Sequence, residues 1–366
     1  MTGVLPILTI GGDPHAIGYG HGQRAQVAIE RNLALYFRRY RDEIGLGRDE
    51  VLHRARAWLE RVKELDPPYA AMVEGLAEGS GFPLLSLAAL NARYEFLYAG
   101  FVSQGLATAC TACGLLPERT QGGRVLLATN WDWFPEVEGL WLRVTWDGLT
   151  VLAFTEAGIA GGKIGFNSAG IGLVVNGLVS HLDRWDGDGI PFHVRAWRIL
   201  CSPSFKRAIA AVEEGGSPGS ANFLVGEAKS GNAVALERAP TGTARVAPEA
   251  GILVHANHFL HPDQLGVREP LPEERRSTDL RQGRLAARLA QAAANGLISM
   301  ERVQDALRDH DGYPDSVCRH ESPLFPPDLN YRTVLSVVMD LGAPRLCYTV
   351  GPPCEGLYHD VHLLPS

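Results

Sequence analysis

Lysine is nearly missing from this chain of 366 residues: Lys63, Lys163, Lys206 and Lys229 are the only four among 34 basic side chains. With 41 acidic residues and a formal charge of -7, no basic block exists to neutralise a phosphate backbone, which argues against a nucleic-acid partner. No apolar run reaches the ~18 residues that span a bilayer, so no membrane partner is expected either. The N-terminus MTGVLPILTIGGDPH has neither a basic leader nor a small-residue cleavage site, and a soluble, unexported, cytoplasmic protein is expected. Cysteine is sparse too: six in the chain are far below the density of a disulfide scaffold, so free thiols are expected in a reducing compartment. Internal repeats and low-complexity tracts are lacking. What the chain does have is 46% hydrophobic residues, enough for a large core in one large domain or two ordinary ones.

The first hundred residues carry helical periodicity, with helices expected over about 15–43, 49–64, 68–78 and 84–98. Asp66-Pro67-Pro68, Gly81 and Pro83 punctuate them. From Arg124 short strand-like runs take over. Asp147-Gly148 between LWLRVTW and TVLAFTEAG is a hairpin signal. Further strands are expected at KIGFN, IGLVVNGL, ANFLVGEA, AVALERA, TARVA and ILVHANHF, with a helical piece over 191–214. Helices over 277–294 and 299–309 then precede TVLSVVMDL and PRLCYTV, which are expected to close the chain. Helices, hairpins, helices and strands in that order argue an α+β fold, since a run of hairpins cannot build a parallel sheet.

Two cysteine patterns invite chemistry. Cys110 and Cys113 form a CxxC, and His255 and His258 an HxxH, which together could be written as four zinc ligands. More than a hundred residues of sheet separate the pairs, unlike a zinc knuckle, and a thioredoxin-like reading fails because a loop and a hairpin follow the CxxC. The remaining reading starts from Thr108-Ala109-Cys110-Thr111. A cysteine after a small residue can attack its own upstream carbonyl; the N-to-S acyl shift breaks the C–N bond, and hydrolysis of the thioester leaves a new N-terminus at Cys110. The freed α-amine, with an ordinary pKa of ~7.7–8.0, then stands beside its own thiol as general base. Against this, free cysteine is among the most buried residue types, and local sequence alone leaves Cys110 open to being a core residue.

Four blocks in order, ACTACGLLPERTQGGRVLLATNWDWF, FTEAGIAGGKIGFNSAGIGLVVNGL, LVHANHF and HDGYPDSVCRH, resemble the acyl-coenzyme A:6-aminopenicillanic-acid acyltransferase family of N-terminal nucleophile cysteine hydrolases. GGDPHAIGYGHG is a weaker family-like start. The resemblance implies a four-layer αββα sandwich and an autoproteolytic zymogen. Residues 1–109 would become an N-terminal helical chain and 110–366 the chain bearing the nucleophile, together one domain. It implies hydrolysis or acyl transfer at a linear, non-peptide C–N amide bond, with a small-molecule amide or an acyl donor such as acyl-coenzyme A as partner. No cofactor and no metal are implied; a homo-oligomer is compatible. More distantly the chain resembles penicillin V acylases and bile-salt hydrolases.

By motif position, Cys110 matches the nucleophile and Ala109–Cys110 the cleavage site, with alanine where the family's fungal acyltransferase has glycine. Asp132 of NWD matches an aspartate near the nucleophile's amine, which it would orient. Asn257 matches an oxyanion-hole asparagine and Arg319 a site arginine. Asn176 resembles a second asparagine of the bile-salt branch; Thr129 stands where that branch has arginine. With a C-terminus reading Leu363-Leu364-Pro365-Ser366, peroxisomal targeting is not expected. Glu156 is open between lining the site and capping a turn. Trp131, Trp133, Trp141 and Trp146 read as core or pocket wall. His255 and His258 read as structural, and Cys113, Cys201, Cys318, Cys347 and Cys354 as buried thiols.

Overall fold

Helix signals govern the chain up to residue 104, after one short strand. β1 (Ile7–Gly11) is followed by α1 (Pro14–Arg24), α2 (Gln26–Ile44), α3 (Arg48–Leu65), α4 (Pro67–Ser80), α5 (Leu84–Asn91) and α6 (Arg93–Gln104). The computed structural model describes residues 3–104, 109–269, 275–324 and 330–364. Asp13 and Asp66 cap α1 and α4, each followed by proline in the first turn. The carboxylate meets an open N–H, and proline has none to leave unpaired. The helix expected over 15–43 is two, divided at Ala25, because α1 packs on α4 whereas α2 packs on α5 and α6. The stretch 84–98 divides likewise at Ala92.

The second part alternates strand runs and helix pairs. It opens with β2 (Ala109–Leu115), β3 (Leu126–Trp133), β4 (Gly139–Trp146), β5 (Leu149–Glu156), β6 (Ile164–Asn167) and β7 (Ile171–Gly177). Next are α7 (Phe192–Leu200), α8 (Phe205–Glu213), β8 (Ala221–Glu227), β9 (Asn232–Ala239), β10 (Gly242–Val246) and β11 (Ile252–His255). The chain continues through α9 (Pro262–Leu265), α10 (Arg275–Ala294), α11 (Met300–Leu307), β12 (Arg332–Asp340), β13 (Arg345–Val350) and β14 (His359–His362). Asp147 and Gly148, at φ 49° and 75°, make the expected tight turn between β4 and β5. The helical piece over 191–214 is broken at Ser202-Pro203, after which Ser204 caps α8. β1, β2 and β14 went unforeseen, since strand-like runs were expected only from Arg124.

An eight-stranded sheet runs β1-β4-β5-β6-β7-β8-β9-β10 and a six-stranded sheet runs β11-β2-β3-β12-β13-β14. Every pair is antiparallel except β1 with β4. β2 and β3 face β7 and β8 across the core. Helices α7 and α8 cover the outer face of the larger sheet, and α10 and α11 that of the smaller one, which completes the αββα layers. Helices α1–α6 reach the β3–β4 and β5–β6 connections: Asn32 donates to Glu138 O and Ala157 O, and Tyr69 to Ala160 O. Among the described residues no helix is long and apolar enough to cross a membrane.

Candidate active site

Strand β2 alternates, and the alternation separates its two cysteines. Cys110 and Ala112 point into the core between the sheets, whereas Cys113 and Leu115 point at α10 and α11. Two thiols on opposite faces of one strand cannot share an ion, which removes the CxxC as a ligand pair. Both imidazoles of the HxxH are engaged elsewhere. His255 bridges Ala256 O and Glu237, and His258 lies 2.9 Å from Thr278 Oγ1.

Cys110 is held by its main chain. β11 pairs with β2 up to His255 opposite Ala112, and its continuation brings Asn257 to Cys110. The Cys110 N–H donates to Asn257 Oδ1 at 2.6 Å, and the Cys110 carbonyl accepts from Arg281 Nη1 at 2.5 Å. Arg281 also donates to Thr111 Oγ1 (2.9 Å) and to Asn257 Oδ1 (3.0 Å), while Asn257 Nδ2 donates to Gly177 O (2.9 Å). These partners fix the Asn257 amide: two obligate donors face its oxygen and a carbonyl faces its nitrogen. Its Nδ2, which the family resemblance assigns to an oxyanion, gives one of its two hydrogens to Gly177 O. Burial and the charge of Asp132 push the Cys110 thiol up to about 11, against a hydrogen bond from the Asp132 backbone and the charges of Arg281 and Lys163.

Asp132 lies on β3 directly opposite Ala109. Its Oδ1 accepts from Thr333 Oγ1 at 2.6 Å, and its Oδ2 is buried with no partner. Burial pushes its carboxyl up to about 6; Arg281, Thr333 and Arg319 restrain the rise. Thr333 in turn exchanges hydrogen bonds with the Arg319 backbone, donating its N–H to Arg319 O and accepting the Arg319 N–H on Oγ1, both at 3.0 Å. Thus Cys110, Asp132, Asn257 and Arg319, distant in sequence, converge at one end of β2 and β3. Asn176 adjoins Gly177 and accepts from Asn222 Nδ2 at 2.9 Å; its own Nδ2 is buried without a partner.

Glu156 neither caps a turn nor touches Cys110. It is fully buried and receives Tyr36 OH, the Arg93 guanidinium and Lys163 Nζ. Burial opposes its charge, but Arg93 and Lys163 outweigh burial and hold it well below the usual carboxylate range. Lys163 itself is pushed down by burial against the pull of Glu156. Its Nζ lies 3.6 Å from the centre of the Trp131 ring, and Trp131 is the cross-strand neighbour of Cys110. The ion cluster therefore backs the wall beside the nucleophile.

Arg281, Thr333 and Lys163 were not singled out from sequence. Arg281 looks like a surface arginine in a polar helix, yet it is 1% exposed. Its signal is phase: Thr278 and Arg281 continue upstream the stripe of Leu285 and Leu289 that α10 buries. Of the thiols read as buried, Cys201 is half-buried and Cys354 exposed, the latter in a turn after β13.

An αββα sandwich with a buried cysteine at the start of an inner strand, clamped by its own main-chain amide, is the architecture expected of an N-terminal nucleophile hydrolase. Residues 119–352 match the family model "Acyl-coenzyme A:6-aminopenicillanic acid acyl-transferase". A curated relative, the acyl-coenzyme A:6-aminopenicillanic-acid-acyltransferase 40 kDa form of Emericella nidulans, is 31% identical over 319 residues, 85% of this chain and 84% of the relative. The chain belongs to this acyltransferase family. Solved structures similar to it include a mutant conjugated bile acid hydrolase of Clostridium perfringens (13% identity, 69% of this chain and 92% of that one, TM-score 0.49). Another is an N-acylethanolamine-hydrolyzing acid amidase ortholog of Caenorhabditis elegans (12% identity, 64% and 94%, TM-score 0.45).

Proposed function

We propose that this protein is a cysteine amidohydrolase or acyltransferase that matures by cutting itself between Ala109 and Cys110 and then acts on a linear amide through a thioester at Cys110. One observation carries the reading: the polar network of the site is trained on the main-chain N–H and C=O of Cys110 rather than on its thiol. A network with that aim serves a peptide bond in the precursor and an α-amine in the product. In maturation Sγ attacks the Ala109 carbonyl carbon, the C–N bond breaks, and the thiol proton ends on the departing nitrogen, which becomes the α-amine. Water then cleaves the thioester, leaving the Ala109 carboxylate and a free thiol.

A cysteine thiol is mostly protonated at neutral pH, so the mature enzyme needs a base to form the thiolate. The new α-amine supplies it, and the unpartnered Asp132 Oδ2 is the acceptor that stabilises its ammonium form. Asn257 holds the nitrogen on one side. Its Nδ2 would donate to the oxyanion, and Arg319 would meet an anionic substrate group or brace Asp132. Attack on a substrate amide expels an amine and leaves an acyl thioester; water resolves it in a hydrolase, a second amine in an acyltransferase. The Emericella nidulans relative, named for acyl-coenzyme A and 6-aminopenicillanic acid, supports a small acyl donor as substrate.

Intact-mass analysis of purified protein tests this. Two fragments, one ending at Ala109 and one beginning at Cys110, are expected, with a single inactive chain from Cys110→Ala and normal cutting in Cys113→Ala. Amide turnover by an uncut wild-type chain would overturn the proposal.

A further inference from the structure

Four metal-binding side chains meet outside the site just described. The donor atoms of His310, Cys318, His320 and Cys354 all lie within 4.8 Å of one another. Cys318 Sγ and Cys354 Sγ are 3.6 Å apart, and His320 Nε2 is 3.6 Å from the first, 3.2 Å from the second and 3.1 Å from His310 Nε2. A tetrahedral zinc ion, with Zn–S of about 2.3 Å and Zn–N of about 2.0–2.1 Å, sets its ligand atoms roughly 3.3–3.8 Å apart. Four of the six edges of the cluster are close to these, and the two from His310 to the sulfurs lie within 4.8 Å.

Hydrogen bonding alone does not account for it. His320 Nδ1 lies 3.1 Å from Glu355 Oε1, which fixes the proton on Nδ1 and turns the Nε2 lone pair toward the cluster. One lone pair then faces an imidazole nitrogen and two sulfurs, more partners than it can serve. The carboxylate is itself anchored, since Arg332 Nη2 is 3.1 Å from Glu355 Oε2. An imidazole oriented by a carboxylate behind it is the usual outer support of a metal ligand. The loop carrying Cys354 is tied down as well, by Arg308 Nε on Pro353 O at 3.0 Å.

We propose that His310, Cys318, His320 and Cys354 bind one structural zinc ion. Two thiolates and two neutral imidazoles cancel its charge, which suits a site half open to solvent; each thiol releases its proton to water on binding. The ion would lock the loop after α11 to the turn after β13. Arg319 sits between two of the ligands, and its backbone holds Thr333, which holds Asp132. The zinc is thus a positioning element for the catalytic carboxylate, though its binding does not depend on the function proposed above. The proposal runs against the expectation that no metal is bound.

Elemental analysis of the purified full-length chain, after dialysis against metal-free buffer, is expected to give one zinc per chain. Cys318→Ser and Cys354→Ser should each lose at least tenfold in zinc content, whereas Cys201→Ser and Cys110→Ala keep it. Should Cys318→Ser fail to fold, His310→Ala at the exposed ligand serves, together with cobalt exchange into the wild type, which should show thiolate-to-cobalt charge transfer and tetrahedral absorption. A wild-type chain without stoichiometric metal, a mass two hydrogens low from a Cys318–Cys354 disulfide, or zinc retained in the Cys318→Ser, Cys354→Ser double variant would each overturn the proposal.

Discussion

Asp132 and Glu156 are both fully buried carboxylates, and their surroundings drive them in opposite directions. Glu156 has two cations and a phenol in contact and stays charged. Asp132 has one hydroxyl partner and arginines acting at longer range, so burial prevails and its carboxyl rises from an ordinary 3.8 to about 6. A carboxyl whose pKa is higher folded than unfolded binds its proton more tightly in the folded chain. Its contribution favours folding at low pH and is lost as pH rises through the interval between those two values. Asp132→Asn carries no such charge. In a Cys110→Ala background, which keeps both chains continuous, urea denaturation at pH 4 and pH 7 should show the Asp132 chain losing on the order of 3 kcal/mol relative to Asp132→Asn. Equal stability differences at the two pH values would refute this. With Cys110 intact, Asp132→Asn should nonetheless mature slowly, because the new ammonium lacks its counter-charge.

Glycine inside a helix is about 1 kcal/mol worse than alanine, yet α1 carries Gly18 and Gly22 and α4 carries Gly75 and Gly79. Contact between the two backbones explains them. A Cβ on Gly18 would lie 1.9 Å from Met72 O, on Gly22 2.5 Å from Leu76 O, on Gly75 2.1 Å from His15 O and on Gly79 2.1 Å from Tyr19 O. Gly75→Ala must drive the helices apart, at an expected cost of about 1–3 kcal/mol or more. Gly283→Ala, exposed inside α10 where the new methyl meets open space, should leave stability unchanged or raise it by up to about 1 kcal/mol. Thermal denaturation of the two variants checks this, and equal melting would show that α1 and α4 can part freely.

At the same scale lies the limit of what sequence reveals. Periodicity and turn residues located most helices and the Asp147-Gly148 hairpin, because those signals are local. The glycines of α1 were visible as GYGHG, but the helix they meet is a tertiary fact. β1 and β14 escaped because they are edge strands of five and four residues, each with a single buried position, Ile10 and Val361. Cys110, Asp132, Asn257 and Arg319 were legible through motifs that each occupy a few adjacent residues. Arg281 lies in no motif. The zinc ligands come from two connections that only the β12–β13 pairing brings together: Gly351 N–H bonds Val334 O, so the chain before β12 and after β13 emerges at one end.

At the scale of the molecule, the residues on either side of Ala109–Cys110 share a core. β1 forms an edge of the eight-stranded sheet by pairing with β4. Tyr36 OH and Arg93, from the N-terminal part, reach Glu156; Trp133 Nε1 donates back to Tyr36 OH at 2.8 Å. Asn91 Nδ2 donates to Gly158 O at 2.9 Å, and Asn32 to Glu138 O at 2.8 Å. Cutting one peptide bond removes none of these contacts, whereas separating the two parts would expose Glu156 and Lys163 as buried charges without Arg93. Losing one member of such a buried set costs about 3–5 kcal/mol, and separation loses the apolar interface as well. The matured protein is therefore expected to elute in native size exclusion as one species containing both fragments, and to resolve into two only in denaturant. Arg93→Met should lower its unfolding free energy by about 3–5 kcal/mol, because Glu156 is left under-compensated. A chain of residues 110–366 made alone should lack a cooperative unfolding transition and amide turnover. A stable, active 110–366 chain would mean that the helical part is dispensable and that the shared core does not hold the site together.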